Sequence, residues 1–228
     1  MKLICLPFAG GDQTYYFKFA KFLDKNIEMV PIKLNGRGER FGSKYYSSFL
    51  EMQMDIESQI FWNNGEDYIL FGHSMGGLLA YELYYQLFEK FGYSAKKLII
   101  SSCPPPKLVG KKSNAPNPEL DNMAYMEEVI KLGGTPKEIM EHPDLVDLLV
   151  PVVRRDFMNI RDYKFLKKKE QIKTHTVVMW GDEEKKLAET IEFWSQYCAN
   201  DIIFKCLKGN HFYINKNIES IVNLIENV

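Results

Sequence analysis

The chain has only four cysteines in 228 residues, Cys5, Cys103, Cys198 and Cys206. None stands in a Cys-x-x-Cys pair or at metal-ligand spacing from one of the four histidines, which removes the zinc-ribbon and dithiol-redox readings. Three of them lie in apolar surroundings and read as buried free thiols of a reducing compartment. Net charge is also nearly absent. Lys and Arg total 29 against 30 Asp and Glu, a balance of −1 that gives no electrostatic footprint for nucleic acid or an anionic membrane. The local basic run Lys164, Lys167, Lys168 and Lys169 reads as solvated surface. No apolar stretch reaches the ~20 residues of a membrane span. The start, Met1 to Pro7, is too short for a signal peptide and has no small-residue cleavage site, so it reads as a strand. Repeats, low-complexity runs and linkers are absent. What remains is globular composition, 46% hydrophobic and 26% charged. The length suits one domain spanning 1–228 that buries about 70–75% of its unfolded surface. A cytoplasmic location is expected.

The most informative stretch is Tyr68-Ile69-Leu70-Phe71-Gly72-His73-Ser74-Met75-Gly76-Gly77, which runs on into Leu78-Leu79-Ala80-Tyr81-Glu82-Leu83. An apolar run of strand length meets Gly-x-Ser-x-Gly, and a helix-patterned segment follows. That sequence of elements is the nucleophile elbow of the α/β-hydrolases, where a tight strand-to-helix turn lifts a serine clear of the sheet edge. Side chains at Gly72 or Gly76 would collide where strand and helix approach each other.

Strands are expected at 2–6, 28–34, 68–73, 97–101, 176–180 and 201–207. Helices are expected from Asp12 or Thr14 to Leu23, over 47–62, to about Phe91, over 187–197, and from Asn217 onward. Strands alternating with helices imply an α/β fold with a mostly parallel sheet covered on both faces. Residues 107–170 break the rhythm with helical patterns only (123–132, 136–140 and 145–157) and read as a helical lid insertion over the catalytic end. Met123, Met126, Met140, Leu145, Leu148 and Leu149 in it are candidates for adaptable apolar walls beneath the lid.

A serine needs a base within reach and an acid to orient that base, in the chain order Ser, acid, His for this fold. Of the histidines, His73 points away from the elbow, His142 precedes a proline in the insert and His175 opens a strand. His211 lies in a Gly-rich loop after the last strand, where the fold places the base. Asp182, Glu183 and Glu184 all follow the 176–180 strand. The spacing of three residues beyond Gly181 favours Glu184, with Asp182 as the alternative. Negative charge developing on a substrate carbonyl needs backbone N–H donors. Met75, directly after the nucleophile, is one candidate. The other comes from the loop after the first strand, where Ala9 is preferred to Phe8.

Leu6-Pro7-Phe8-Ala9-Gly10-Gly11, Gly36-Arg37-Gly38, Phe71 to Gly77, Pro104-Pro105, Leu132-Gly133-Gly134-Thr135-Pro136, Pro151, Arg155-Asp156-Phe157 and Gly209-Asn210-His211-Phe212 together resemble the type II thioesterases of nonribosomal peptide and polyketide synthase clusters. The resemblance covers nearly the whole chain. It implies a discrete α/β-hydrolase that removes acyl groups from the phosphopantetheine arm of acyl or peptidyl carrier proteins. Ser74 and His211 would be catalytic, and Glu184 stands where the family usually has aspartate. Asn35 replaces the usual proline before Gly-Arg-Gly. The resemblance implies no cofactor and no metal, since the acyl group arrives on the carrier's own arm, and a monomer is expected. Lys111 and Lys112 are candidates for docking an acidic carrier. The rival readings are a carboxylesterase acting on small free acyl esters, a water-excluding acyltransferase, and a binding module on a hydrolase scaffold.

Overall fold

Apolar strand segments buried on both faces set the architecture. Leu3 and Cys5, Ile69 and Phe71, Ile99, and Val177 and Met179 face one side. Ile4 and Leu6, Tyr68 and Leu70, Leu98 and Ile100, and Val178 face the other. Successive strand residues point to opposite faces, so a sheet apolar on both must be covered twice. The computed structural model describes residues 1–60, 66–92, 94–110, 115–200 and 202–227. In it, β1 (Lys2–Leu6), β2 (Glu28–Pro31), β3 (Tyr68–His73), β4 (Lys97–Ser101), β5 (His175–Gly181) and β6 (Ile202–Leu207) form one sheet in the order β2-β1-β3-β4-β5-β6. Every pairing is parallel.

Helices α1 (Phe49–Ser58) and α2 (Met75–Phe91) pack on one face, joined by Trp194 from a 3₁₀ segment. Helix α6 (Ile218–Glu226) covers the other with Tyr16 and Phe19. Their ends follow from local chemistry. Ser48 caps α1 by accepting from the Glu51 N–H, while Glu51 reaches back to the Ser47 N–H. Gly92 closes α2 in the left-handed conformation. Lys97 is fully buried because its ammonium donates to the carbonyls of Leu224, Ile225 and Asn227, capping the C-terminus of α6.

Between β4 and β5 stand α3 (Asn122–Lys131) and α4 (Pro143–Arg161), which share a core of their own around Tyr125, Met126, Val129, Val146, Val150 and Val153. A short α5 (Lys185–Ala188) follows β5.

Several expectations shift. β2 stops at Pro31 rather than at residue 34, because this edge strand pairs only with β1 and proline brings no donor. The first expected helix shrinks to a 3₁₀ segment, Gln13–Lys18, its Tyr- and Phe-rich sequence being a weak helix former. Asp12 caps it as expected. The 187–197 helix divides into α5 and a 3₁₀ stretch, Ile191–Tyr197. Lys168 is not solvated surface, since it pairs with buried Glu82 at 2.6 Å. Cys5, Cys103 and Cys198 are buried free thiols, whereas Cys206 is exposed. The end of the expected 47–62 helix, the first residue of the expected 201–207 strand, and Lys111 and Lys112 lie outside the described residues. Among the described residues no helix is long and apolar enough to cross a membrane.

Helix α2 meets the sheet backbone to backbone. A Cβ at Gly76 would lie 2.0 Å from the Leu6 carbonyl oxygen, and one at Gly72 would lie 1.8 Å from that of Gly76. Backbone cannot yield as a side-chain tip can. Gly76→Ala should therefore lower the unfolding free energy by about 3 kcal/mol or more. Gly42→Ala, whose Cβ would meet nothing within 4 Å, should stay within about 0.5 kcal/mol. Urea unfolding of the two variants checks this, and equal midpoints would contradict it.

Candidate active site

Four loops at the C-terminal ends of β1, β3, β5 and β6 converge. Ser74 sits between β3 and α2 at φ 56°, ψ −117°, a conformation non-glycine residues avoid. Its N–H is fixed to the Ser101 carbonyl at 2.8 Å, and its own carbonyl accepts from the Gly77 N–H. The strain is held by backbone on both sides, and Ser74 stands half-buried at the start of α2.

His211 follows β6. Its Nδ1 lies 2.7 Å from Glu184 Oε1. The second carboxylate oxygen, Oε2, accepts from Ser102 Oγ at 2.5 Å and from the Gly181 N–H at 3.0 Å. Burial works against charge on Glu184, but the bonds to His211, Ser102 and Gly181 outweigh it and hold the carboxyl below the usual glutamate range. An ionised carboxylate only accepts, so Nδ1 carries the proton and Nε2 is the basic nitrogen.

Asp182 occupies a different place. Its Oδ1 accepts from the Gly209 N–H at 2.8 Å, and the neighbouring Glu183 N–H donates to the Gly209 carbonyl. Asp182 and Glu183 thus lace the end of β5 to the loop that carries His211, and Glu184 alone of the three faces the imidazole. Asn210 completes the loop by accepting from the Phe212 N–H.

Ser102 is a residue that sequence reasoning did not single out. It takes φ 47° directly after β4, with its N–H on the Met179 carbonyl. Nothing in Ser-Ser-Cys-Pro announces this, because the bond to Glu184 depends on the relative height of β4 and β5. The loop after β1 forms a turn in which the Gly11 N–H donates to the Phe8 carbonyl and Gly10 takes φ +78°, as the third residue of a type II turn does. The Gly10 N–H is taken by Asp156. Among the described residues the Phe8 and Ala9 N–H groups have no intramolecular acceptor.

Aromatic rings tie these loops together. Phe212 makes edge contacts with Phe8 and His211, and Gly134 of the insert lies against its ring. His142 and His175 stand apart, as the cap of α4 and the first residue of β5. His73 is fully buried, with its ring centroid 5.0 Å from that of His211. Its Nδ1 bonds Ser101 Oγ at 2.8 Å, and Ser101 continues to Tyr213 OH.

Burial first, then the nearby His211 and Lys18, hold His73 well below its ordinary 6.5. The folded chain therefore keeps His73 neutral, while the unfolded chain protonates it below about pH 6.5. Its contribution to stability is complete above that pH and is lost as pH falls, by up to ~1.4 kcal/mol per pH unit. His73→Asn should flatten the unfolding free energy between pH 6.5 and 5 by about one proton's slope. Urea titrations across that range with the same slope for both proteins would contradict this.

The Thioesterase domain family matches residues 1–228. Thioesterase PikA5 of Streptomyces venezuelae is 26% identical over 227 residues, covering 98% of this chain and 79% of its own. The crystal structure of ClbQ from the colibactin NRPS/PKS pathway superposes with a TM-score of 0.90 at 27% identity, covering 98% of this chain and 94% of ClbQ. RedJ, the thioesterase of the prodiginine pathway in Streptomyces coelicolor, gives a TM-score of 0.85 at 25% identity, covering 98% and 89%. With its parallel sheet, its strained elbow serine and a family match along its whole length, this chain belongs to the thioesterase family.

Proposed function

We propose that Ser74 is the nucleophile, His211 its general base and Glu184 the acid that orients the base, with the Met75 and Ala9 N–H groups receiving the oxyanion. The enzyme is a type II thioesterase of the α/β-hydrolase superfamily, clearing acyl groups from the phosphopantetheine arm of acyl or peptidyl carrier domains. The observation that carries the catalytic assignment is the Glu184–His211 contact. With the carboxylate fixed on Nδ1 by two further donors, Nε2 is kept as the proton acceptor.

Ser74 Oγ attacks the thioester carbonyl carbon while His211 Nε2 takes the hydroxyl proton. The tetrahedral anion forms against backbone N–H groups, one of them at the N-terminus of α2 where the helix dipole favours negative charge. Collapse breaks the C–S bond, and the imidazolium returns its proton to the departing sulfur. Water then attacks the acyl-serine, His211 takes a water proton, and the acid leaves as Ser74 recovers its hydrogen. Thiolates leave more readily than alkoxides, which favours thioesters over oxygen esters on the same triad.

Residues 107–170 act as a lid. Supporting this reading, Gly133 and Gly134 pack against Asn210 and Phe212 beside the proposed base. Met126 belongs to the insert's own core and is not free to wall an acyl chain, whereas Leu145, Leu148 and Leu149 form an exposed face of α4. The pathways named for ClbQ and RedJ support the assembly-line reading, and in that reading the enzyme works in the cytoplasm on acyl-loaded carriers.

Two measurements test the proposal. Steady-state hydrolysis should favour an acyl-phosphopantetheinyl carrier protein over the matching free acyl-pantetheine, and both over a simple oxygen ester, with Ser74→Ala as the inactive blank. An oxygen ester preferred, with no gain from the carrier, would point to a carboxylesterase. Glu184→Gln should lower kcat by about 10⁴, as loss of the orienting acid does in related triads. Asp182→Asn, which keeps an oxygen for the Gly209 N–H, should cost no more than about tenfold. The reverse order would assign the acid to Asp182.

A further inference from the structure

The buried ion pair Arg37–Asp156 bridges the helical insert and the turn after β1. Asp156, on α4, is 1% exposed and Arg37 is 7% exposed. The guanidinium holds both carboxylate oxygens, Nη1 donating to Oδ2 at 2.5 Å and Nη2 to Oδ1 at 2.8 Å. Oδ2 also accepts from the Gly10 N–H at 2.8 Å. Arg37 is itself anchored to the carbonyls of Asn35 and Gly11. One turn earlier on α4, Val153 packs against Gly10, where a Cβ would come within 2.7 Å of its Cγ2. Helix α4 therefore holds Gly10 by a hydrogen bond and by a side-chain contact.

Ala9 occupies the second position of that turn, and its N–H belongs to the Phe8–Ala9 peptide unit, whose carbonyl the Gly11 N–H holds at 2.9 Å; the bond from Gly10 to Asp156 ties this closed turn to α4. Desolvating a carboxylate is expensive and is not needed merely to pack a helix on a loop. A fixed acceptor aimed at a single N–H is what a preorganised donor site requires. We propose that Asp156 is a positioning residue for the oxyanion site: by gripping the Gly10 N–H it anchors the turn after β1 to α4 and so fixes the place of the Ala9 N–H, and Arg37 holds the carboxylate in register. The assignment rests on Ala9 being an oxyanion donor.

The test uses two double variants that both remove the buried charge. Arg37→Met with Asp156→Asn keeps an oxygen for the Gly10 N–H, while Arg37→Met with Asp156→Leu does not. On acyl-pantetheine the asparagine pair should retain kcat within about threefold. The leucine pair should lose up to ~10²-fold in kcat with KM little changed, as removal of an oxyanion donor does. An alkylboronic acid, which adds to the serine as a tetrahedral anion, should lose affinity in step. Equal kcat in the two pairs would overturn the proposal, and so would a rise in KM with kcat preserved. If the leucine pair does not fold, Asp156→Glu replaces it. That change keeps the ion pair but displaces the acceptor from Gly10, so unchanged kcat again overturns the assignment. Replacing the Phe8–Ala9 peptide link by an ester removes the Ala9 N–H alone. No loss of kcat there would defeat the oxyanion reading itself. A loss there alongside equal double variants would defeat only the role of Asp156.

Discussion

Everything at the proposed active site depends on one close approach, that of the first turn of α2 to the ends of β1 and β3. There the Gly76 carbonyl occupies the space a Cβ on Gly72 would need, and Gly76 in turn lies against the Leu6 carbonyl. With strand and helix that close, the residue between them has no relaxed conformation. Ser74 takes φ 56° because hydrogen bonds to Ser101 and Gly77 fix the chain on either side of it. The same approach brings the loop after β1 alongside the start of α2.

The remaining parts are pinned to that frame from outside. Ser102, itself at positive φ, reaches from β4 to Glu184 on the loop after β5. Asp182 reaches from the same loop to Gly209, ahead of His211. Asp156 reaches from the insert to Gly10. In each case a short polar side chain grips a neighbouring loop, and each loop carries one group of the proposed chemistry. The helical insert is thus joined to the turn after β1 as well as to the histidine loop, where Gly134 meets Phe212.

Much of this was legible in the sequence, for identifiable reasons. β1, β3, β4 and α2 are read from uninterrupted apolar runs bounded by glycine or proline, and the elbow adds a local motif with its own steric logic. The Tyr15–Phe19 segment was harder, because its apolar spacing suits a helix while its aromatic residues do not favour one. β2 was overextended because an apolar run does not reveal that the strand is at the edge of the sheet. Of three consecutive acidic residues, spacing could only favour Glu184. What separates it from Asp182 is which way each side of the turn after Gly181 faces, and that is a three-dimensional fact. Ser102 and the Asp156–Gly10 bond were invisible for the same reason, since each joins elements far apart in the chain.

The central proposed step is the passage of the acyl group from the carrier thioester through Ser74. The direct measurement is mass spectrometry of the protein quenched during turnover of an acyl-phosphopantetheinyl carrier protein, with Glu184→Gln used to slow deacylation. The peptide bearing Ser74 should gain the mass of the acyl group less one hydrogen, and this species should disappear in Ser74→Ala. Steady hydrolysis with no acylated peptide, or with acylation at another residue, would contradict it.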